Sequence, residues 1–259
     1  MTTPTLDDAA TTAPRKPNNL VGPGILLVWI GLGAWLVQQP SGMIVFAFVM
    51  VGWILAVMAH EFSHAAIAYL AGDHTVAEKG YLSFDPRRYG DLGTSLVIPL
   101  LALALGGVGF PGGAVYLRND LMRSKAWRAA ASLAGPGATL VVLLVLSFGL
   151  QVWRGLGGGG ALFDALTVIA FLQAMALILN LLPIPGLDGF NAIRPFLPVS
   201  WGPAIRKGEG LAMLALLALI FIVPGASAAL FTAAALLSRV VGLDLQSLQI
   251  GWTAFHFWQ

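Results

Sequence analysis

Three observations predict an all-α polytopic membrane protein. Of the 259 residues, 58% are hydrophobic and only 10% charged, against about 25% charged in an ordinary soluble domain. The apolar residues fall in runs close to the ~20 that a helix needs to cross a bilayer. The basic residues collect in the loops between the runs, where they report topology. Together these give about five to six transmembrane helices, a re-entrant segment over about 94–110, and a small β-hairpin at the cytoplasmic face.

Residues 1–19 (MTTPTLDDAATTAPRKPNN) have no apolar period and read as a disordered cytoplasmic tail. They are not expected to be a signal peptide, because Arg15 and Lys16 precede a full-length span with no small-residue cleavage site after it. Leu20 to Val37 is the first span and Met43 to Ala71 a long second one. Ala129 to Val152 and Leu162 to Leu182 also qualify. Leu211 to Gly242 is interrupted by Pro224-Gly225, and reads as two short spans, a kinked hairpin or one broken span.

Thr94 to Phe110 contains Pro99 and ends in a glycine cluster. With the tail in the cytoplasm, a crossing here would place Arg118, Arg123, Lys125, Arg128, Arg194, Arg206 and Lys207 outside, half of the 14 basic residues. If the segment dips in and returns, all of these stay in the cytoplasm, and Arg154 is the one clear exception. Re-entrant backbone persists at membrane depth only when buried in protein or lining a polar cavity, so a cytoplasmic cavity is expected. Tyr81 to Phe84 and Ala114 to Leu117 are the two scraps assigned to the hairpin.

Composition removes several classes. There is no cysteine, so disulfides, thiolate metal sites and cysteine nucleophiles are excluded. A net charge of +2, with its cations in loops, makes nucleic acid an improbable partner.

Chemistry concentrates in Ala59 to Asp73, AHEFSHAAIAYLAGD. His60 and His64 lie four residues apart, so on a helix they share one face and can hold one ion. Glu61 projects to the side, next to where a bound water would sit. This is the HExxH pattern of two zinc ligands and a glutamate base. Ionisable residues inside a membrane helix are costly and usually functional. Two other readings compete: polar glue between helices, and a proton or ion relay in a transporter. A catalytic zinc usually takes a third protein ligand. Asp164 falls near the outer end of its span, and Asp91 and Glu209 lie in loops. Asp188 ends NLLPIPGLDG, Asn180 to Gly189, where Pro183 and Pro185 stop the helix and free the chain to turn. It shares a side with His60 and His64 only in the re-entrant topology. Taken alone, it would read as a solvated aspartate after a proline helix end.

His60-Glu61-Phe62-Ser63-His64, Ala134-Gly135-Pro136 and Asn180 to Gly189 together resemble the site-2 protease family of intramembrane zinc metalloproteases, over roughly residues 43–190. The resemblance implies Zn2+ held by His60, His64 and Asp188, with Glu61 activating water. It implies that Asn180 binds the peptide or stabilises the oxyanion, and that Ala134 to Pro136 pack helices. Residues 20–259 would then be a single transmembrane metalloprotease domain, multi-pass in the cell membrane, with its active site toward the cytoplasm. Its partners would be the bilayer and a membrane-protein or membrane-peptide substrate. Relatives often carry an asparagine after the Ala-Gly-Pro element. Here Gly137-Ala138-Thr139 follows, which puts a polar role there in doubt. No PDZ domain interrupts the chain, as in the compact, PDZ-less branch. The alternative is a membrane transporter or a non-catalytic metal-binding scaffold, although no repeat of the transporter kind is found.

The remaining features are secondary. Residues 114–117 are a candidate for accepting an extended substrate, or a plain structural hairpin. Tyr81 and Phe84 are candidates for the cavity entrance. His74 reads as a solvated loop residue. His256 and the aromatic residues around it read as an interfacial anchor, or as packing within a dimer.

Overall fold

A helix that leaves its backbone unpaired cannot persist in hydrocarbon, so a chain this apolar must satisfy its amides within each segment. The computed structural model describes residues 20–89, 98–106, 115–223 and 225–259. Among them, all regular structure is helical. The helices are α1 (Val21–Gln38), α2 (Gly42–Ala71), α3 (Thr75–Glu78), α4 (Ile98–Gly106), α5 (Lys125–Gly155), α6 (Ala161–Asn180), α7 (Asp188–Ile193), α8 (Gly202–Ile222), α9 (Ala226–Val240) and α10 (Leu245–Phe255).

Starts follow local chemistry. Ser41 caps α2 by accepting from the Ile44 amide, Ser124 caps α5 by accepting from Trp127, and Asp244 caps α10 through Gln246 and Ser247. α6 stops at Asn180, just ahead of Pro183 and Pro185.

α1, α2, α5 and α6 are each long and apolar enough to cross a bilayer. α8 and α9 pass the same test only as a pair bent by 88°, making five spans if that pair is one span. The sixth span at the upper end of the expectation is not found among the described residues, because α8 opens with Arg206, Lys207 and Glu209. Within 94–110 the described part is α4, nine residues, or about 14 Å of helix, too short to cross. Residues 94–97 and 107–110, and the tail expected over 1–19, lie outside the described residues.

α6 is the centre of the bundle. Its apolar stretch is 78% buried, against 17% for α1, 39% for α2 and 33% for α5. α5, α9, α10 and α2 pack around it, and α1 lies against α2. Val141, Val145 and Phe148 of α5 and Leu27, Val28 and Ile30 of α1 are exposed. Such outward apolar residues suit lipid, and they mark the chain as a multi-pass membrane protein. The aromatic tail divides between two environments. Phe255 is fully buried and Trp252 packs edge-on against Phe171 and Phe231, while Phe257 and Trp258 stay about half exposed. His256 is buried and bonds through Nδ1 to the Trp252 carbonyl. His74 is exposed, edge-on to Tyr69.

The expected β-hairpin does not form. Ser83 bonds back to the Gly80 carbonyl through both its amide and its hydroxyl, and Tyr81 N–H goes to Val76. Phe84 has φ +48°, a left-handed conformation that no strand contains. Residues 115–118 spend their polar backbone groups on side chains. Val115 N–H donates to Glu61, the Tyr116 carbonyl accepts from Lys79, and Arg118 N–H donates to Asp73. The two stretches share an apolar cluster through Tyr81, Val115 and Leu117, but form no ladder. Ala114 lies outside the described residues.

Without water to drive them together, membrane helices associate by close packing at small residues. The seat of α10 on α6 illustrates this: a Cβ at Gly251 would stand 2.4 Å from the Asp164 carbonyl oxygen. Gly251→Val is therefore expected to cost about 1–3 kcal/mol and to lower the melting temperature in detergent. Gly149→Ala, where nothing lies within 4 Å, should leave it unchanged. Equal melting temperatures for Gly251→Val and wild type would refute this seat.

Candidate metal and active site

α2 carries His60, Glu61 and His64, all buried at 3–7% exposure. Eleven residues separate His60 from the end of the helix at Ala71, so the site sits about 16 Å in from that end. Asp188 arrives from the other side. After α6 stops, the chain turns through Pro183 to Gly186 and restarts as α7 with Asp188 first. A Cβ at Gly189 would lie 2.3 Å from the Leu181 carbonyl oxygen. Only glycine lets α7 fold back this tightly over the end of α6.

Three atoms converge. His60 Nε2 and His64 Nε2 are 3.1 Å apart. Asp188 Oδ2 is 3.2 Å from the first and 3.4 Å from the second. Ligand bonds of about 2.0–2.1 Å in a tetrahedral site put neighbouring ligand atoms about 3.3 Å apart, so the three define one face of a tetrahedron around a zinc-sized ion. The outer hydrogen bonds set the orientation of both rings. His64 Nδ1 is 2.7 Å from the Ala131 carbonyl, which can only accept, so Nδ1 carries the proton. His60 Nδ1 is 2.9 Å from Thr139 Oγ1. A neutral ring with its proton on Nδ1, as at His64, aims its Nε2 lone pair at the point that His60 Nε2 and the Asp188 carboxylate oxygen also face. Such a set demands positive charge at its centre, as protons or a metal ion, and its ligand types suit zinc.

Glu61 stands slightly apart. It forms a second possible donor group with the two histidines, ligand atoms within 4.8 Å of one another. Asp188 is closer to both rings, so Glu61 is the outer carboxylate. Its Oε2 accepts from the Val115 amide at 3.3 Å.

Other sequence candidates do not reach the centre. Glu209 pairs with Arg194. Asp164 lies in the first turn of α6, at the opposite end from Asn180. Asp91 lies outside the described residues. Asn180 is buried and shares a small void with His60, Glu61, Thr139 and Gln173. Phe84 lines a separate apolar groove of about 660 Å³ beside α1, and Tyr81 is buried in the core. Neither lines the cavity that opens at the site. That cavity, about 600 Å³, is lined by Glu61, His64 and Asp188 together with Val115 to Leu117, Arg128 and Arg206.

Sequence reasoning missed several supporting residues. Thr139, which replaces the expected asparagine, does hold a polar role through His60. Gly135 is a contact surface for the rings, since a Cβ there would stand 2.2 Å from His64 Nε2 and 2.5 Å from His60 Nε2. Its place in Ala-Gly-Pro, on a face with the small residues Ala131, Ser132 and Thr139, was the available signal. Asp73 is fully buried and takes the amide of Arg118 at 2.7 Å, holding residues 115–118 over Glu61. Gln173 is buried mid-span with its Nε2 unpartnered among the described residues.

Fold and site thus define a multi-pass helical membrane protein with a His-His-Asp donor set beside a buried glutamate. Its relatives bear matching names. The chain is 39% identical over 234 residues to "Putative zinc metalloprotease Rip2" of Mycobacterium tuberculosis, covering 88% of each chain. It is 42% identical over 175 residues to the Mycolicibacterium smegmatis protein of that name, covering 67% of this chain and 66% of the relative. Bacillus subtilis YwhC, also named as a zinc metalloprotease, is 26% identical over 186 residues, covering 68% of this chain and 81% of the relative. The chain belongs to the Rip2 zinc metalloprotease family. No family profile matches it, and no solved structure matches it.

Gly135→Ala is expected to push both imidazoles off the common centre. Thr139→Val is expected to release the His60 ring, and lost outer partners typically cost 10–100-fold in metal affinity. Chelator competition on detergent-purified protein should show zinc affinity weakened about tenfold or more in each, with helical circular dichroism unchanged. Wild-type affinity in both variants would contradict the packing described.

Proposed function

We propose that this protein is an intramembrane zinc metalloendopeptidase that hydrolyses peptide bonds in or near transmembrane segments of membrane proteins. The observation that carries the reading is the convergence of His60 Nε2, His64 Nε2 and Asp188 Oδ2 inside a spanning-helix bundle, with Glu61 at one side. In this reading the three residues hold zinc. When bound, zinc supplies a Lewis acid that lowers the pKa of water toward about 7 and polarises a carbonyl oxygen.

The chain's own groups do the rest. Glu61 takes a proton from the attacking water and returns it to the leaving amine, a role suited to a buried carboxylate held by one amide. Asn180, on the inner side, hydrogen-bonds the developing oxyanion. A substrate helix hides its carbonyls in its own hydrogen bonds, so it must unwind. Val115 to Leu117 line the cavity and offer it a surface. Asp73 holds them there. The cavity admits water, and the charge distribution of the loops favours its opening to the cytoplasm. The short α4 fits a re-entrant segment. The sequence features match the compact, PDZ-less branch of the site-2 protease family.

Asp188→Ala should reduce zinc from near one per chain to a small fraction, measured by mass spectrometry on purified protein. Glu61→Gln should keep the zinc and lower cleavage of a membrane peptide by a factor of at least about 100. Full zinc in Asp188→Ala would move the third ligand elsewhere. Cleavage by Glu61→Gln at the wild-type rate would sink the glutamate's role.

A further inference from the structure

The cavity that opens at the site is acidic at its floor and basic at its wall. Glu61 and Asp188 lie at the floor, and Lys125, Arg128, Arg194 and Arg206 line the sides. Arg194 is neutralised by Glu209. Lys125, Arg128 and Arg206 have no carboxylate partner among the described residues. Arg128 also keeps its Nε buried without a hydrogen-bond partner among the described residues. Asp120, whose ionisation Arg128 favours through space, is already taken by Arg118, which holds its carboxyl down at about 2. Lys125 and Arg206 are exposed, whereas Arg128 is half-buried with its Nε shut off from solvent, and a partly desolvated cation gains when an anion arrives.

Position makes this more than a topology signal. Arg128, Ser132 and Gly135 fall on one face of α5 at helical spacing. Gly135 abuts the two imidazoles, and Arg128 and Ser132 line the cavity. Seven residues of helix put Arg128 about 10 Å from the metal centre along α5. An extended chain rises about 3.3 Å per residue, so that span equals about three residues of unwound peptide.

Resting on the protease reading, we propose that Arg128, assisted by Lys125 and Arg206, is a specificity-determining residue that selects peptide substrates carrying an acidic side chain about three residues from the scissile bond. The cations face the same cavity as Glu61 and Asp188. This favours a peptide drawn into the site over a lipid headgroup at the outer surface. A charge-assisted hydrogen bond from the guanidinium to a carboxylate supplies the selectivity.

The test uses full-length Glu61→Gln protein, zinc-loaded, in phosphatidylcholine nanodiscs. The probes are fluorescent versions of one apolar membrane peptide with a single Glu, Gln or Lys moved stepwise along it. Anisotropy should show the best-placed Glu peptide binding about tenfold tighter than its Gln twin. Adding Arg128→Glu should remove that preference and favour the Lys peptide, while Arg128→Lys should retain it. Both variants must keep wild-type zinc content and melting temperature. Where Arg128→Glu fails this, Arg128→Gln, expected to abolish the preference, takes its place. Equal affinities for all three peptides overturn the proposal. So does a preference that vanishes when phosphatidylglycerol is added, because the cations would then serve lipid headgroups. Cleavage of the same peptides by wild type is measured separately. Acid-selective binding without cleavage would overturn the protease reading and leave the acid-binding site standing.

Discussion

The arrangement depends on one electrostatic constraint. Three lone-pair donors, His60 Nε2, His64 Nε2 and Asp188 Oδ2, are held 3.1–3.4 Å apart at the base of a cavity in the helix bundle. Left to themselves they repel, so the surrounding structure must hold them together until positive charge occupies the centre. Much of the local architecture serves this. α5 orients both rings from behind, through the Ala131 carbonyl, Thr139 and the bare backbone of Gly135. The proline-rich end of α6 brings the carboxylate from the third direction.

The same constraint accounts for the division between rigid and adaptable parts. α6 is buried along most of its length, and so gives a fixed reference for Asn180 and for the turn to Asp188. Residues 115–118 are held differently, by single hydrogen bonds to Glu61, Lys79 and Asp73. A segment held by side chains rather than by a ladder can give up one bond at a time. Such a segment suits an adaptable cavity wall, whereas a site that converges three donor atoms requires the stiffness that helix packing provides.

Much of the site was legible because its signals are local. The i, i+4 spacing of His60 and His64 survives any tertiary arrangement, since a helix places both on one face. The Pro183-Ile184-Pro185 run must end α6 in any fold. The hairpin failed as a reading because Tyr81 to Phe84 and residues 115–117 have strand-like side chains, while their backbone bonds were claimed by nearer partners such as Gly80 and Val76. β-propensity describes fit to a pleated surface, and no such surface was available.

What the sequence by itself determined is the solvent, the helices and the chemical types at the centre. Apolar runs of bilayer length require helices, a chain without cysteine restricts a metal to nitrogen and oxygen ligands, and HExxH sets two of them on one face. What only the tertiary structure decided is the geometry in which distant groups meet at the site. Thr139 lies 79 residues from His60, Ala131 lies 67 from His64, and Asp188 lies 128 from His60. No periodicity links such positions. They meet because close packing at Gly135 and the tight return at Gly189 bring two helices and a turn within van der Waals contact, and that contact is a property of the folded bundle alone.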